Sequence, residues 1–255
     1  MSSAVPQVPA GSGAHPIALV VLSSRDLGAS CAFYTQVFGW PLMKLSSDLA
    51  VHMPSSGPAV SLRAGLPDGF PAAVPFLAVP DVKAALARVT EAGARVEKAP
   101  WALPGAGTLA RFTDPGGTLY GLTDAAAPGP RARVPVPFGD APKPPQGSLC
   151  SLEMYAPDGT TAGRWFGEQF GWGAAETMPR FVMFDPGAGI SGVFQSHTPA
   201  QPAVAYLYAG DVAATLTAVE QAGGSRLGEP MAAPGMATFG YFRDASGTVM
   251  GLIGG

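Results

Sequence analysis

Phe112-Thr113-Asp114-Pro115-Gly116-Gly117-Thr118-Leu119-Tyr120-Gly121-Leu122 returns 130 residues later as Phe242-Arg243-Asp244-Ala245-Ser246-Gly247-Thr248-Val249-Met250-Gly251-Leu252. Six of the eleven positions are identical, and the register holds without a gap back to Phe76 and Tyr206. Asp81-Val82 matches Asp211-Val212, Leu86 matches Leu216, Ala92-Gly93 matches Ala222-Gly223, and Pro104-Gly105 matches Pro234-Gly235. A second match, displaced by 132 residues, joins Asp26, Phe33-Tyr34 and Phe38-Gly39-Trp40 to Asp158, Trp165-Phe166 and Phe170-Gly171-Trp172. Self-similarity of this length means that the chain is one module written twice.

The order of elements inside a module follows from its periodicities. Ile17 to Leu22 is an apolar, β-branched run of strand length. Asp26 stands at an N-cap position before a helix that carries Phe33, Val37 and Phe38 on one stripe, and Gly39 ends it. Short strands are expected around Leu49 to Met53 and Ala59 to Arg63. The pattern then restarts with a strand at Phe76 to Val79, Asp81 as cap, and a helix with Val82, Leu86 and Val89. Strands around Arg95 to Glu97, Thr108 to Thr113 and Thr118 to Thr123 complete the module. Each module is therefore two βαβββ halves, and the fold class is α+β.

These boundaries divide the chain into a Ser/Ala/Pro/Gly-rich tail at residues 1–14, expected to be disordered, a first module at 15–124, a linker at 125–147, and a second module at 148–255. The linker holds seven prolines and three glycines, a composition that favours an extended connection over packed structure. At 255 residues and 47% hydrophobic content there is enough apolar material for a core in each module. The net charge of −3, with Lys and Arg scattered singly, offers no basic stripe, so no nucleic-acid partner is expected. No signal-peptide or membrane-spanning run is present, which points to a cytoplasmic protein without a membrane partner. The two cysteines, Cys31 and Cys150, are expected to be buried reduced thiols.

The quoted segments resemble the vicinal oxygen chelate superfamily, which groups glyoxalases, bleomycin-resistance proteins and dioxygenases. The resemblance covers both modules and implies that each folds as a cupped mixed sheet around a ligand cavity. The endings Gly121-Leu122 and Gly251-Leu252 are most similar to the tandem-module group described as related to lactoylglutathione lyase and often labelled hydroxylases. Metal-dependent members place ligands on the first and last strands of a module. Carried onto this chain, those positions are Leu19 and Ser151 on the first strands and Gly121 and Gly251 on the last, and none of the four can ligate a metal. A further first-strand histidine of dioxygenase-like members falls near Ala73 and Ala203. Of the three histidines, His15 reads as an exposed tail residue, His52 sits in a strand with no carboxylate near it in sequence, and His197 reads as part of a turn. No metal and no cofactor are expected.

Alternate residues of a strand share a face. The face of Ser151 therefore includes Leu149 and Glu153. A carboxylate on an apolar concave face is costly unless paired, and Glu153 is the catalytic candidate. Leu19, Gly121, Ser151, Tyr155 and Gly251 are candidate ligand contacts, and Arg63 and Arg111 are candidate clamps for an anionic group. The second module is also the richer in aromatic rings. The expected protein binds a small apolar or aromatic molecule without a metal, its modules pairing within the chain as a monomer or homodimer. It is either an enzyme that works by acid/base chemistry or an antibiotic- or toxin-sequestering binder, and a metal-dependent lyase or dioxygenase is the least favoured reading. Only one copy carries the glutamate, and this divergence favours a single specialised site.

Overall fold

The computed structural model describes residues 8–12, 14–103, 107–125, 132–196 and 201–254; His197 lies outside them. The first module runs β1 (Ile17–Ser23), α1 (Leu27–Phe38), β2 (Leu42–Lys44), β3 (Leu49–His52), β4 (Ala59–Arg63), then β5 (Ala73–Ala78), α2 (Val82–Glu91), β6 (Arg95–Ala102), β7 (Thr108–Thr113) and β8 (Leu119–Thr123). The second repeats the plan with β9 (Leu149–Tyr155), α3 (Gly159–Phe170), β10 (Gly173–Met178), β11 (Phe181–Asp185) and β12 (Ser191–Gln195). It continues with β13 (Ala203–Tyr208), α4 (Val212–Gln221), β14 (Ser225–Arg226), β15 (Met231–Ala233), β16 (Ala237–Arg243) and β17 (Val249–Gly254). In the second copy the strand equivalent to β6 is broken into β14 and β15, both of which pair with β16.

All four helices among the described residues begin on an aspartate. Asp26 accepts the amide of Ala29, Asp81 those of Lys83 and Ala84, Asp158 those of Thr160 and Thr161, and Asp211 that of Ala214. Each cap satisfies amides that the helix leaves unpaired, a contribution of about 1 kcal/mol. Within each half the first strand pairs in parallel with the last, as β1 with β4 and β5 with β8. Antiparallel pairing of β1 with β5 joins the halves into the order β2-β3-β4-β1-β5-β8-β7-β6. The second sheet has the matching order, with β9 and β13 at its centre.

The modules share one core. Phe33 on α1 packs on Phe242, and the Tyr34 hydroxyl donates to the buried Asp244 carboxylate at 2.8 Å. Reciprocally, Trp165 on α3 donates to the Ala92 carbonyl, and Tyr120 and Phe112 pack against Phe166 and Phe170. The two arms of this pseudo-symmetric contact differ at the buried aspartate, because Phe166, the residue aligned with Tyr34, has no hydroxyl to offer Asp114. Cys31 and Cys150 are buried and unbridged, and burial pushes the Cys150 thiol up to about 12, which leaves it inert;.

Two segments expected to be loose make contacts that their composition does not foretell. Ser12 in the tail donates its amide to the Gly171 carbonyl. In the linker, Arg133 pairs with Asp185, Val134 is buried and hydrogen-bonded to Gly189, and the Gly139 amide reaches Met236. Residues 132–147 of the linker form no helix or strand, yet proline-fixed backbone with an apolar residue between prolines packs at little entropic cost. His15 also departs from expectation. It is half-buried, with Nδ1 3.1 Å from the Ala78 carbonyl, its ring edge-on to Phe170, and its own carbonyl accepting from Trp172.

Candidate binding and acid/base site

The cup of the second module holds a cavity of about 300 Å³. Its floor comes from β9, β13, β16 and β17, where Ser151, Glu153, Tyr206, Tyr241 and Ile253 share the concave face. Phe181, Met183 and Val193 form one wall, and Met231, Met236 and Phe239 another. Val136 and Phe138 of the linker close the third side, with the Phe138 ring 6.3 Å from that of Phe239. Most of this lining is apolar, so the few polar atoms on the floor fix what can sit there.

Those atoms form a chain. The Tyr206 hydroxyl donates to Glu153 Oε2 at 2.7 Å and lies 2.8 Å from the Tyr241 hydroxyl. Burial pushes the Tyr206 phenol far above its ordinary value, and the neighbouring Glu153 charge adds to this. Burial raises Tyr241 as well. Both phenols thus stay protonated and hold the carboxylate in one place. Ser151 donates to the Ser191 carbonyl at 3.1 Å on the neighbouring strand.

Gly251 explains why the chain can form. A Cβ at Gly251 would lie 2.4 Å from the Tyr206 ring, and one at Gly121 would lie 2.1 Å from the Phe76 ring. Both rings lie flat over glycine backbone on the adjacent strand. At the positions where the resemblance noted above implied a carboxylate ligand, an aromatic ring is packed over glycine instead. Leu19 and Ser151 offer no replacement donor. Among the described residues no group of three or more His, Cys, Asp and Glu side chains could hold a metal ion. His52 sits on the opposite side of its sheet against Tyr34 and Trp40, and burial holds it below the usual imidazole range. Among the described residues, then, neither cup gathers a donor set that fits a divalent metal.

The sequence candidates separate into three sets. Glu153 and Ser151 line the cavity, with Gly251 beneath the Tyr206 ring. Leu19, Gly121, Arg63 and Arg111 belong to the first cup, which is packed with its own side chains. There Val74, Phe76 and Leu109 are buried against Leu19, Val21, Phe70 and Trp101. Arg111 lies 4.8 Å over the Phe70 ring, and Arg63 pairs with Asp48. Tyr155 does not line the cavity; it is engaged through its backbone with Pro202 and Thr118. Tyr241 as a floor residue, the methionines and the linker were not among the sequence candidates. The 130-residue repeat held the signal for the first, since it aligns Tyr206 with Phe76 and Tyr241 with Arg111. Both are face-mates of the glycines at the end of the module.

Among known proteins, a family model of the Glyoxalase/Bleomycin resistance protein/Dioxygenase superfamily matches residues 16–121. Two curated relatives, each named "Putative glyoxylase CFP32", come from Mycobacterium bovis (strain ATCC BAA-935 / AF2122/97) and Mycobacterium tuberculosis (strain CDC 1551 / Oshkosh). Each is 30% identical over 115 residues, which is 42% of this chain and 44% of the relative. The chain thus matches less than half the length of these relatives. The structure is similar to that of an Mn(II)-bound glyoxalase from Novosphingobium aromaticivorans (TM-score 0.70, 21% identity, 94% of this chain and 81% of the other). It is also similar to a variant of Homoprotocatechuate 2,3-Dioxygenase from B.fuscum in complex with HPCA (TM-score 0.67, 16% identity, 99% of this chain and 74% of the other). At these identities the likeness concerns the fold.

Proposed function

Because the first module is a domain of the Glyoxalase/Bleomycin resistance protein/Dioxygenase superfamily and the second repeats its architecture, we propose that the second cup binds a small apolar or aromatic molecule and acts on it without a metal. The Glu153–Tyr206–Tyr241 chain on the floor of an apolar cavity carries this reading. Glu153 is the proton acceptor. Tyr206 and Tyr241 orient it and extend its reach, since a proton given to Tyr241 can be matched by one passed from Tyr241 to Tyr206 and one from Tyr206 to Glu153. Such positioned proton transfer contributes roughly 10²–10⁴-fold to a rate. The first cup is the structural partner, its concave face filled by Phe70 and Trp101.

A thermal-shift screen of apolar ring compounds tests the reading, since a ligand of the folded state raises the melting temperature by mass action. Hits are then repeated on Glu153→Gln. Hits that convert to product on the native protein and only bind to the variant support catalysis. The absence of any hit, or hits on Glu153→Gln with undiminished turnover, overturns it. One observation favours a second reading, sequestration without turnover. Met178, Met183, Met231 and Met236 line the cavity and its mouth, and flexible thioether walls suit a binder that accepts varied guests. Binding without product on either protein selects that reading.

A further inference from the structure

A phenol has one proton to give. That of Tyr206 goes to the Glu153 carboxylate, an acceptor with no proton of its own when ionised;. The Tyr241 hydroxyl, 2.8 Å from Tyr206, can close that contact only by donating its own proton to the Tyr206 oxygen. The Ser151 proton is spent on the Ser191 carbonyl. The protons of Ser151, Tyr206 and Tyr241 are therefore all committed inside the protein, and these floor residues turn lone pairs toward the guest. Thr177 and Ser191, also in the lining, have rotatable hydroxyls that can serve either sense.

We propose that the guest of this cavity is an apolar ring compound whose polar group is a hydrogen-bond donor, an N–H or an alcohol O–H, seated on the Tyr241 oxygen. The inference rests on the second cup being the working site and names the class of molecule it takes. An acceptor-only guest, such as a ketone or an ether, would have to break the Tyr241–Tyr206 contact to find a donor there, and would leave the Tyr206 oxygen short of its partner. The repeat supplies a contrast within the same chain. The first cup has Phe76 and Arg111 where the second has Tyr206 and Tyr241, so the chain of phenols is a property of one copy only. A guest that gives its donated proton to Tyr241 is also the guest that the relay toward Glu153 can act on.

Three flat bicycles of nearly equal volume make the test: indole, with an N–H donor; indene, with neither donor nor acceptor; and benzofuran, with a weak acceptor. Affinities for the full chain are measured by isothermal titration calorimetry. Indole is expected to bind roughly tenfold or more tightly than the other two, the usual worth of one buried hydrogen bond that a competitor cannot make. Tyr241→Phe is expected to lower the indole affinity while leaving that of indene unchanged, and an unchanged melting temperature shows that the variant is folded. Equal affinities for indole and indene overturn the donor assignment and leave the apolar-cup reading standing. Tightest binding of benzofuran overturns it too, by showing that the floor donates. If none of the three binds at millimolar concentration, the working-site reading falls with it.

Discussion

Single residues decide what the second cup can do. Glu153 and Gly251 are the informative pair, because one supplies the charge and the other makes room for the ring that holds it. Glu153→Gln keeps the volume and an acceptor for the Tyr206 hydroxyl, so the expected cost to the fold is about 1 kcal/mol or less. The loss in turnover or ligand response should be far larger, which parallel melting and binding measurements read directly. Gly251→Ala makes the opposite prediction. Its Cβ would press on the Tyr206 ring at 2.4 Å, and overpacking of this kind costs about 1–3 kcal/mol. The expected outcome is a lower melting temperature together with loss of ligand response, since the ring cannot shift without breaking its bond to Glu153. A variant with native stability and native binding would show that the ring has freedom the structure denies it.

At the scale of elements, the turns before β8 and β17 show how a duplicated feature drifts apart. Asp244 receives the Tyr34 hydroxyl, whereas Asp114 faces the same kind of boundary without it. Burial raises Asp114 to about 6 from an ordinary 3.8, even though backbone amides of the turn bond to it. Its folded value lies above its unfolded one, so between roughly pH 4 and 6 the folded state holds the extra proton. Stability should therefore fall as pH rises through that window, by an amount on the order of 2–3 kcal/mol. Asp114→Asn, which keeps the acceptor for the Thr118 amide, should flatten that part of the stability–pH curve as followed by chemical denaturation. A curve unchanged by the substitution would remove Asp114 as its cause. Elements of this kind were legible in the sequence, because Asp caps, glycine stops and apolar periods are local signals. What stayed hidden was relational. Tyr241 became a floor residue only once β16 was in register with β17, and the break of the second-module counterpart of β6 into β14 and β15 left no mark on composition. The first-strand reading did place Glu153 on the Ser151 face, since alternation along one strand needs no partner strand. Tyr155, also offered as a ligand contact, is not among the residues that line the cavity.

The whole molecule depends on its two halves being together. Phe33, Phe112, Phe166, Phe170 and Phe242 belong to a core that crosses the module boundary. A fragment ending near Pro135 would expose the first module's share of that surface, and is expected to be poorly soluble or to self-associate on size-exclusion chromatography. A stable monomeric fragment would argue that the modules merely touch. At the same scale the donor set predicts that chelator treatment leaves both the melting temperature and the ligand response unchanged, with no stoichiometric manganese, iron, nickel or zinc found on elemental analysis. The described helices include none long and apolar enough to cross a membrane. The linker is the feature whose effect reaches furthest. Val136 and Phe138 are at once part of the tether between two repeats and part of the wall of the cavity. Proteolytic nicking after residue 138 would thus be felt first as altered selectivity rather than as separation of the repeats. Over evolutionary time, a segment free of sheet pairing can change length and side chains without disturbing either fold. The joint between the repeats is thereby a place where the lining of the cavity can change while both sheets stay as they are.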